Sequence, residues 1–394
     1  MTKPNFVFII ADQLRADLLS FMGHPDVKTP NLDVLAARSR MYRNHIAQSP
    51  VCYPSRTAIM TGRMPHSNGA FNNLVGCGEH EISYVQMLAD AGYHCVSFGS
   101  NHMQPEPFGF HKLVASRSKY PDSAYQKYLN TLNLDTPVDE YHPRNRVPHS
   151  HRIPHGLTKQ NMKYHWDAFA TDRAIAYLPE LKDRPFYMHL GFHLPHPPYF
   201  CDQHFFDLYD PRQIQIADYK SACDRHPKLQ AVYEKDGYET VTEAEVREIT
   251  TFHYGAISFV DAQIGRFLKA LNTHGLNRNT HIIFLSDHGN FCGQLGMFNK
   301  VDFPHMGLVH VPLLWAHPDG GQAEIERFTE HIDLAPAILE TAGLETPYFM
   351  EGQNLLENER DWAFSEIADG AFQPETQRYT KTGFYASYID FSFR

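Results

Sequence analysis

The order of apolar and amphipathic segments predicts an α/β fold, a large and mostly parallel sheet with helices on both faces. Three observations carry this reading. Short apolar runs such as Asn5–Ala11 (NFVFIIA) lack polar alternation, as expected of strands covered on both faces. Segments of helical periodicity separate these runs. Acidic or histidine-bearing turns follow several of them directly, where open parallel sheets place their sites.

The elements follow in order. Asn5–Ala11 is the first strand. Thr29-Pro30 opens a helix, with Thr29 as N-cap, Pro30 at the first position and Leu32, Leu35 and Ala36 on one face. Pro54 opens a second helix that runs to Thr61 and is closed by Gly62. Ile82–Ala91 is amphipathic and stops at Gly92; His94–Phe98 follows as a strand. Pro185–Phe192 and His281–Ser286 are further strands. Between them a long helix, Glu243–Leu271, carries Ile249, Phe252, Ile257, Val260, Ile264 and Leu268 at helical spacing. Val309–Trp315 is a strand, and Leu334–Ala342 is a helix ended by Gly343. Lys112–Gly156 is polar and rich in Tyr, His and Pro, and reads as an insertion over the site. One large catalytic unit, 1–360, with a short C-terminal segment, 361–394, is the expected organisation.

Composition narrows the function. Hydrophobic residues make up 42% and charged residues 20% of 394, which excludes a disordered chain. Thirty-five Lys+Arg against 45 Asp+Glu give a net charge of −10, a poor basis for binding nucleic acid. No apolar stretch approaches the roughly 20 residues that span a bilayer, so no membrane partner is expected. Six cysteines, Cys52, Cys77, Cys95, Cys201, Cys223 and Cys292, show neither C-x-x-C nor zinc-finger spacing; the even count allows three disulfides, but scattered in a chain this large they read as free. The N-terminus runs straight into a strand without a signal peptide's cleavage region, which reads as cytoplasmic; a removed leader would look the same.

Two turns place carboxylates at strand ends: Asp12-Gln13 and Ser286-Asp287-His288-Gly289. Either aspartate alone is more simply a cap. Together, with an amide oxygen, they suit a hard divalent cation, Ca²⁺ or Mg²⁺, and His288 admits Mn²⁺. A third feature is Cys52-Tyr53-Pro54-Ser55-Arg56 ahead of Thr61-Gly62-Arg63. Cys52 precedes a helix start, a place that draws anions and acidifies thiols; the plain alternative is a buried, inert cysteine. A cysteine-phosphatase reading needs arginine six positions on, where this chain has Ala58.

Cys52-x-Pro54-Ser55-Arg56 with Thr61-Gly62-Arg63 resembles the signature of the formylglycine-dependent (type I) sulfatases. The resemblance extends along nearly the whole chain through Asp12, Thr29–Asp33, Asp287-His288-Gly289 and His331–Pro336, in family order. It implies an alkaline-phosphatase-like fold and hydrolysis of a sulfate ester of a carbohydrate or related small molecule. It implies that a maturation enzyme, formylglycine-generating or anaerobic, oxidises Cys52 to formylglycine, whose hydrate attacks sulfur and then expels sulfate through its second hydroxyl. It further implies one divalent metal, Ca²⁺ first, held by Asp12, Gln13, Asp287, His288 and residue 52, with Arg56 orienting the diol. By the same resemblance His102 and His196 contact the ester, His196 protonating the leaving oxygen, and Lys300 binds a sulfate oxygen. Ser100 and Asn101 line the substrate site, while His193 is read as structural.

The departures are specific. Gln13 stands where many sulfatases have a second Asp, and Ser100 replaces a lysine in Gly99-Ser100-Asn101-His102. Both resemble the phosphonate monoester hydrolase branch, as does Leu190-Gly191-Phe192 with His196-Pro197-Pro198. Phosphonate monoester or phosphodiester hydrolysis is therefore the alternative activity. An inactive binding protein on the same fold is a third reading, opposed by the intact Cys52–Arg56 core. The chain's end is short beside the family's smaller C-terminal sheet, so part of the pocket wall is either missing or supplied by a partner subunit, the second of which would make a homo-oligomer.

Overall fold

The computed structural model describes residues 3–102, 108–115, 123–134, 153–158, 160–216, 226–357, 359–373 and 378–390. Its centre is an eight-stranded sheet ordered β10-β2-β9-β8-β1-β6-β3-β4. The strands are β1 (Asn5–Asp12), β2 (Arg40–Ile46), β3 (His94–Gly99), β4 (Lys112–Val114), β6 (Phe186–Pro195), β8 (Thr280–Ser286), β9 (His310–Ala316) and β10 (Ala323–Glu330). Two small sheets accompany it: β5 (His155–Leu157) with β7 (Tyr199–Cys201), and an antiparallel hairpin, β11 (Trp362–Gln373) with β12 (Arg378–Asp390).

Every pairing in the large sheet is parallel except those of β9, which runs against β2 and β8. The apolar run at Val309–Trp315 is thus a strand of reversed direction. The reason is its connection. Residues 287–309 carry no long crossover helix; the segment stays at the carboxyl edge, and a chain re-entering there must run back. β1, β6 and β8 are buried along almost their whole length, which is why they read as unbroken apolar runs.

Helix Glu243–Thr273 and helix Trp166–Tyr177 pack on one face, in a core that includes Ile257, Val260, Ile264, Ala170 and Ala174. Helices Tyr84–Asp90 and Leu334–Thr341 cover the other through Val85, Leu88, Ile338 and Leu339. The long helix starts at a capping box in which Thr242 and Glu245 satisfy each other's backbone N–H groups.

Three expectations are corrected here. Thr29 makes no side-chain cap to helix Pro30–Ala36; Asp261 takes that part, accepting from the Asn31 and Leu32 N–H groups at 3.2 and 2.7 Å. Cys52 does not precede its helix but is the first residue of helix Cys52–Thr61, which closes on Gly62 at φ +65°. The start of the 112–156 stretch is not an insertion but edge strand β4, and its end pairs with β7; residues 116–122 and 135–152 lie outside the described residues. Cys52, Cys77, Cys95, Cys201 and Cys292 are free, and Cys223 lies outside the described residues. Among the described residues no helix is long and apolar enough to cross a membrane.

Candidate metal and catalytic centre

The strands β8, β1, β6 and β3 are adjacent and parallel, so their carboxyl ends share one edge. Each delivers a side chain there. β1 ends at Asp12 and continues into Gln13; β8 ends at Ser286 and is followed by Asp287 and His288. β6 ends at Pro195, just before His196. After β3, Gly99 turns the chain at φ +93°; a Cβ there would lie 2.0 Å from the Gly191 carbonyl oxygen, so the approach requires glycine. The turn lays Ser100, Asn101 and His102 over the edge. The Cys52 helix enters after β2, and Lys300 comes from the segment between β8 and β9.

At the centre Cys52 Sγ lies 3.2 Å from His288 Nε2 and 3.6 Å from Asp12 Oδ1. His288 Nε2 is 3.7 Å from Asp12 Oδ1 and 3.8 Å from Asp287 Oδ1. These four buried side chains can each offer a ligand atom, all within 4.8 Å of one another. His288 Nδ1 donates to the Gly289 carbonyl at 2.9 Å, which fixes the tautomer and leaves the Nε2 lone pair facing inward. Lys300 Nζ reaches the same place, 2.8 Å from Cys52 Sγ and 3.2 Å from His288 Nε2.

Arg56 organises the two carboxylates. Its Nε donates to Asp287 Oδ2 at 2.7 Å and a terminal nitrogen to Asp12 Oδ2 at 3.2 Å. Its other terminal nitrogen donates to the Ser100 and Asn101 carbonyls at 3.1 and 3.3 Å. The guanidinium thus occupies Oδ2 of each aspartate and leaves Oδ1 of each toward the centre. The arginine expected to orient the diol thus also holds both aspartates in place. Burial opposes ionisation of Asp12 and Asp287, but the surrounding cations, Arg56 and Lys300 among them, hold both carboxyls below the usual range. Of the two readings of the thiol, the buried one fits: burial, with Asp12 and Asp287 alongside, pushes Cys52 up to about 12 against the pull of Lys300 and Arg56. In this setting desolvation and two carboxylates outweigh the helix start.

The donor set fits a hard divalent cation: two carboxylate oxygens, an imidazole lone pair and the amide of Gln13. Gln13 is fully buried, and its Oε1 has no hydrogen-bond partner among the described residues. Such an orphaned oxygen in a polar centre is expected where an ion completes the site.

The flanking residues divide. His102 Nδ1 is 3.2 Å from Asp12 Oδ2, and its side chain is 33% exposed. His196 Nδ1 donates to the Pro197 carbonyl at 2.6 Å, leaving Nε2 as an acceptor; burial pushes the ring down to about 3, so it is neutral near pH 7. Ser100 and Asn101 meet Arg56 through their carbonyls, and the buried Ser100 hydroxyl has no partner among the described residues. His193, read from sequence as structural, lies beside this centre: Asp12, His102 and His193 also offer ligand atoms within 4.8 Å, and its ring centroid is 4.7 Å from that of His196, with the planes tilted by 34°. Its position three residues before His196 was the available signal. Asn299 was missed as well, and its Oδ1 accepts from Gln13 Nε2 at 2.9 Å.

The family model described as Sulfatase matches residues 4–344 of this chain. The multifunctional alkaline phosphatase superfamily protein PehA of Trinickia caryophylli is 26% identical over 404 residues, covering 90% of this chain and 77% of that protein. An arylsulfatase of Clostridium perfringens is 26% identical over 411 residues, covering 96% of this chain and 84% of that protein. Among solved structures, a phosphonate monoester hydrolase from Silicibacter pomeroyi matches with a TM-score of 0.83 at 24% identity, covering 94% of this chain and 81% of that one. That likeness establishes the alkaline-phosphatase-like fold.

Proposed function

The chain belongs to the sulfatase family of sulfuric ester hydrolases, and from that premise we propose that it cleaves a singly charged ester, foremost a sulfate monoester of a carbohydrate or related small molecule, after conversion of Cys52 to formylglycine. The observation that carries the reading is the juxtaposition of Cys52 with Asp12, Asp287 and His288 within 4.8 Å at one sheet edge. Asp12, Gln13, Asp287, His288 and residue 52 would hold one divalent cation, Ca²⁺ before Mg²⁺ or Mn²⁺. When bound, that ion supplies charge neutralisation at the ester oxygens and acidifies the nucleophile, and formylglycine supplies a second hydroxyl through which sulfate can leave.

The chain's own side chains do the rest. Arg56 keeps both aspartates ionised and pointed inward. Lys300 brings an ammonium to the atom position of residue 52, where charge develops during attack. His102 rests on Asp12 Oδ2 through Nδ1, which leaves its Nε2 for the ester. His196 presents Nε2 as an acceptor, and an anionic ester beside it is what would draw a proton onto that nitrogen for the leaving oxygen. Asp12 and Asp287 are balanced by Arg56 and Lys300, and position 100 contributes a hydroxyl rather than a charge. Such a centre suits one negative charge better than the roughly two of a phosphate monoester near pH 7.

Phosphonate monoester or phosphodiester hydrolysis on the same residues is the second reading. The neutral amide of Gln13 in place of a carboxylate, together with Ser100, favours it. Hydrolysis of one aryl leaving group as sulfate, phosphonate monoester and phosphodiester by converted enzyme separates the two. Chelation should abolish every activity, and Asp287→Ala should abolish metal uptake. Full turnover after exhaustive chelation, with no metal found by elemental analysis, would refute the metal-dependent reading.

A further inference from the structure

We propose that Asn299 is a positioning residue of the ion-binding centre: it fixes the Gln13 amide so that Gln13 Oε1 turns to the cation alongside Asp12, Asp287 and His288. This rests on the metal reading above and extends it to a residue outside the ligand set.

Gln13 leaves β1 at φ +69°, an uncommon conformation for a side-chain-bearing residue. That turn aims its N–H at Asp287 Oδ1, 3.0 Å away, and tucks its side chain fully inside. The two ends of the amide then have different fates. Nε2 donates to Asn299 Oδ1 at 2.9 Å, while Oε1 has no partner among the described residues. Oxygen and nitrogen branch apart on one planar group, so committing Nε2 to Asn299 directs Oε1 away from it. A buried acceptor without a donor is costly unless something electropositive completes it.

Asn299 is itself held in place. It adopts φ +65°, a left-handed conformation that asparagine tolerates, and its carbonyl accepts from the Phe291 N–H at 3.0 Å. It also directly precedes Lys300, whose Nζ lies 2.8 Å from Cys52 Sγ. One residue therefore sets both the amide of a ligand and the root of the ammonium that faces residue 52.

The test is calorimetric titration of Ca²⁺, and separately Mn²⁺, into chelator-stripped full-length protein, with the state of residue 52 matched across variants by peptide mass. Asn299→Gly removes the acceptor and keeps the backbone conformation, since glycine adopts positive φ freely. It should weaken ion affinity about 10- to 100-fold, the usual cost of losing a group that orients a ligand. Gln13→Met should weaken it at least as much, and the double variant no further than Gln13→Met alone. Asn299→Asp, which can only accept, should keep or exceed wild-type affinity. Asn299→Ser, too short to reach, is a second probe expected to behave as Asn299→Gly. Wild-type affinity in Asn299→Gly and Asn299→Ser, or losses that multiply in the double variant, would overturn the proposal while leaving the metal reading intact. Failure of the wild-type chain to bind either ion would overturn both.

Discussion

Lys300 Nζ lies 2.8 Å from Cys52 Sγ, closer than Asp12 Oδ1 at 3.6 Å. The lysine stands at the tip of the segment that reverses into β9, and the cysteine at the first turn of its helix, so two independent loops converge on one atom. Burial disfavours the charge on Lys300, but the ionised Asp12 and Asp287 beside it favour the ammonium. Lys300→Met should therefore lower kcat/KM for every ester by about 10²- to 10³-fold, as loss of a donor aimed at developing charge does. Retention of kcat/KM within a small factor would remove Lys300 from the chemistry.

Arg56 bridges Asp12 and Asp287 with separate nitrogens, which only a planar fork can do. Arg56→Lys should keep the charge but lose the bridge. Ion affinity and thermal stability should both fall, because breaking a buried pair leaves unpaired charge and costs about 3–5 kcal/mol. Unchanged ion affinity in a folded Arg56→Lys protein would show that the carboxylates need no such arrangement.

Position 100 tests the charge argument. Ser100→Lys adds one cation beside the carbonyls that receive Arg56. Phosphate monoester hydrolysis should gain most, by about 1 kcal/mol for a partly solvated charge contact, with sulfate gaining less. If kcat/KM for sulfate, phosphonate and phosphate esters changes equally, residue 100 does not face the transferred group.

Acid should unfold the chain earlier than carboxylate protonation alone would. His45, His189, His253, His281 and His331 are buried away from solvent, and burial lowers each from its usual value; His253 and His331, for instance, fall to about 3. Their folded values lie below the unfolded value of about 6.5, so the unfolded chain binds more protons. Stability should hold above pH 6.5 and be lost progressively as pH falls below it. Urea unfolding at pH 8, 6 and 5 in chelator measures this; a flat stability across that range would contradict it. His253, whose two ring nitrogens have no partner among the described residues, should be replaceable by Phe with a gain of about 1–3 kcal/mol and a shallower acid slope.

Much of the site was legible because its strands are apolar runs that end in chemistry-bearing turns, as at Asp12 after β1 and Asp287 after β8. β2 and β10 escaped notice because they mix polar residues with apolar ones, as in Arg40, Arg43 and Asn44, in a strand only partly buried. The direction of β9 depends on where the preceding segment travels, which periodicity does not encode. The helix start at Cys52 was visible, but the sign of its thiol shift was not, because that sign is set by burial first, with Asp12 and Asp287 adding to it from elsewhere in the chain. His193 was hidden among 25 histidines. The Gln13–Asn299 pair spans 286 positions, and no local pattern marks it.

The conversion of residue 52 is the most direct test of the whole account. Preparations differing only in the fraction of Cys52 oxidised to formylglycine, made with graded amounts of a maturation enzyme and quantified by peptide mass spectrometry, should be assayed on one aryl sulfate and one aryl phosphonate monoester with the metal site saturated. Turnover on the preferred ester should rise in proportion to the converted fraction and extrapolate to zero for the unmodified cysteine. Turnover independent of that fraction, or undiminished in Cys52→Ala, would contradict the account.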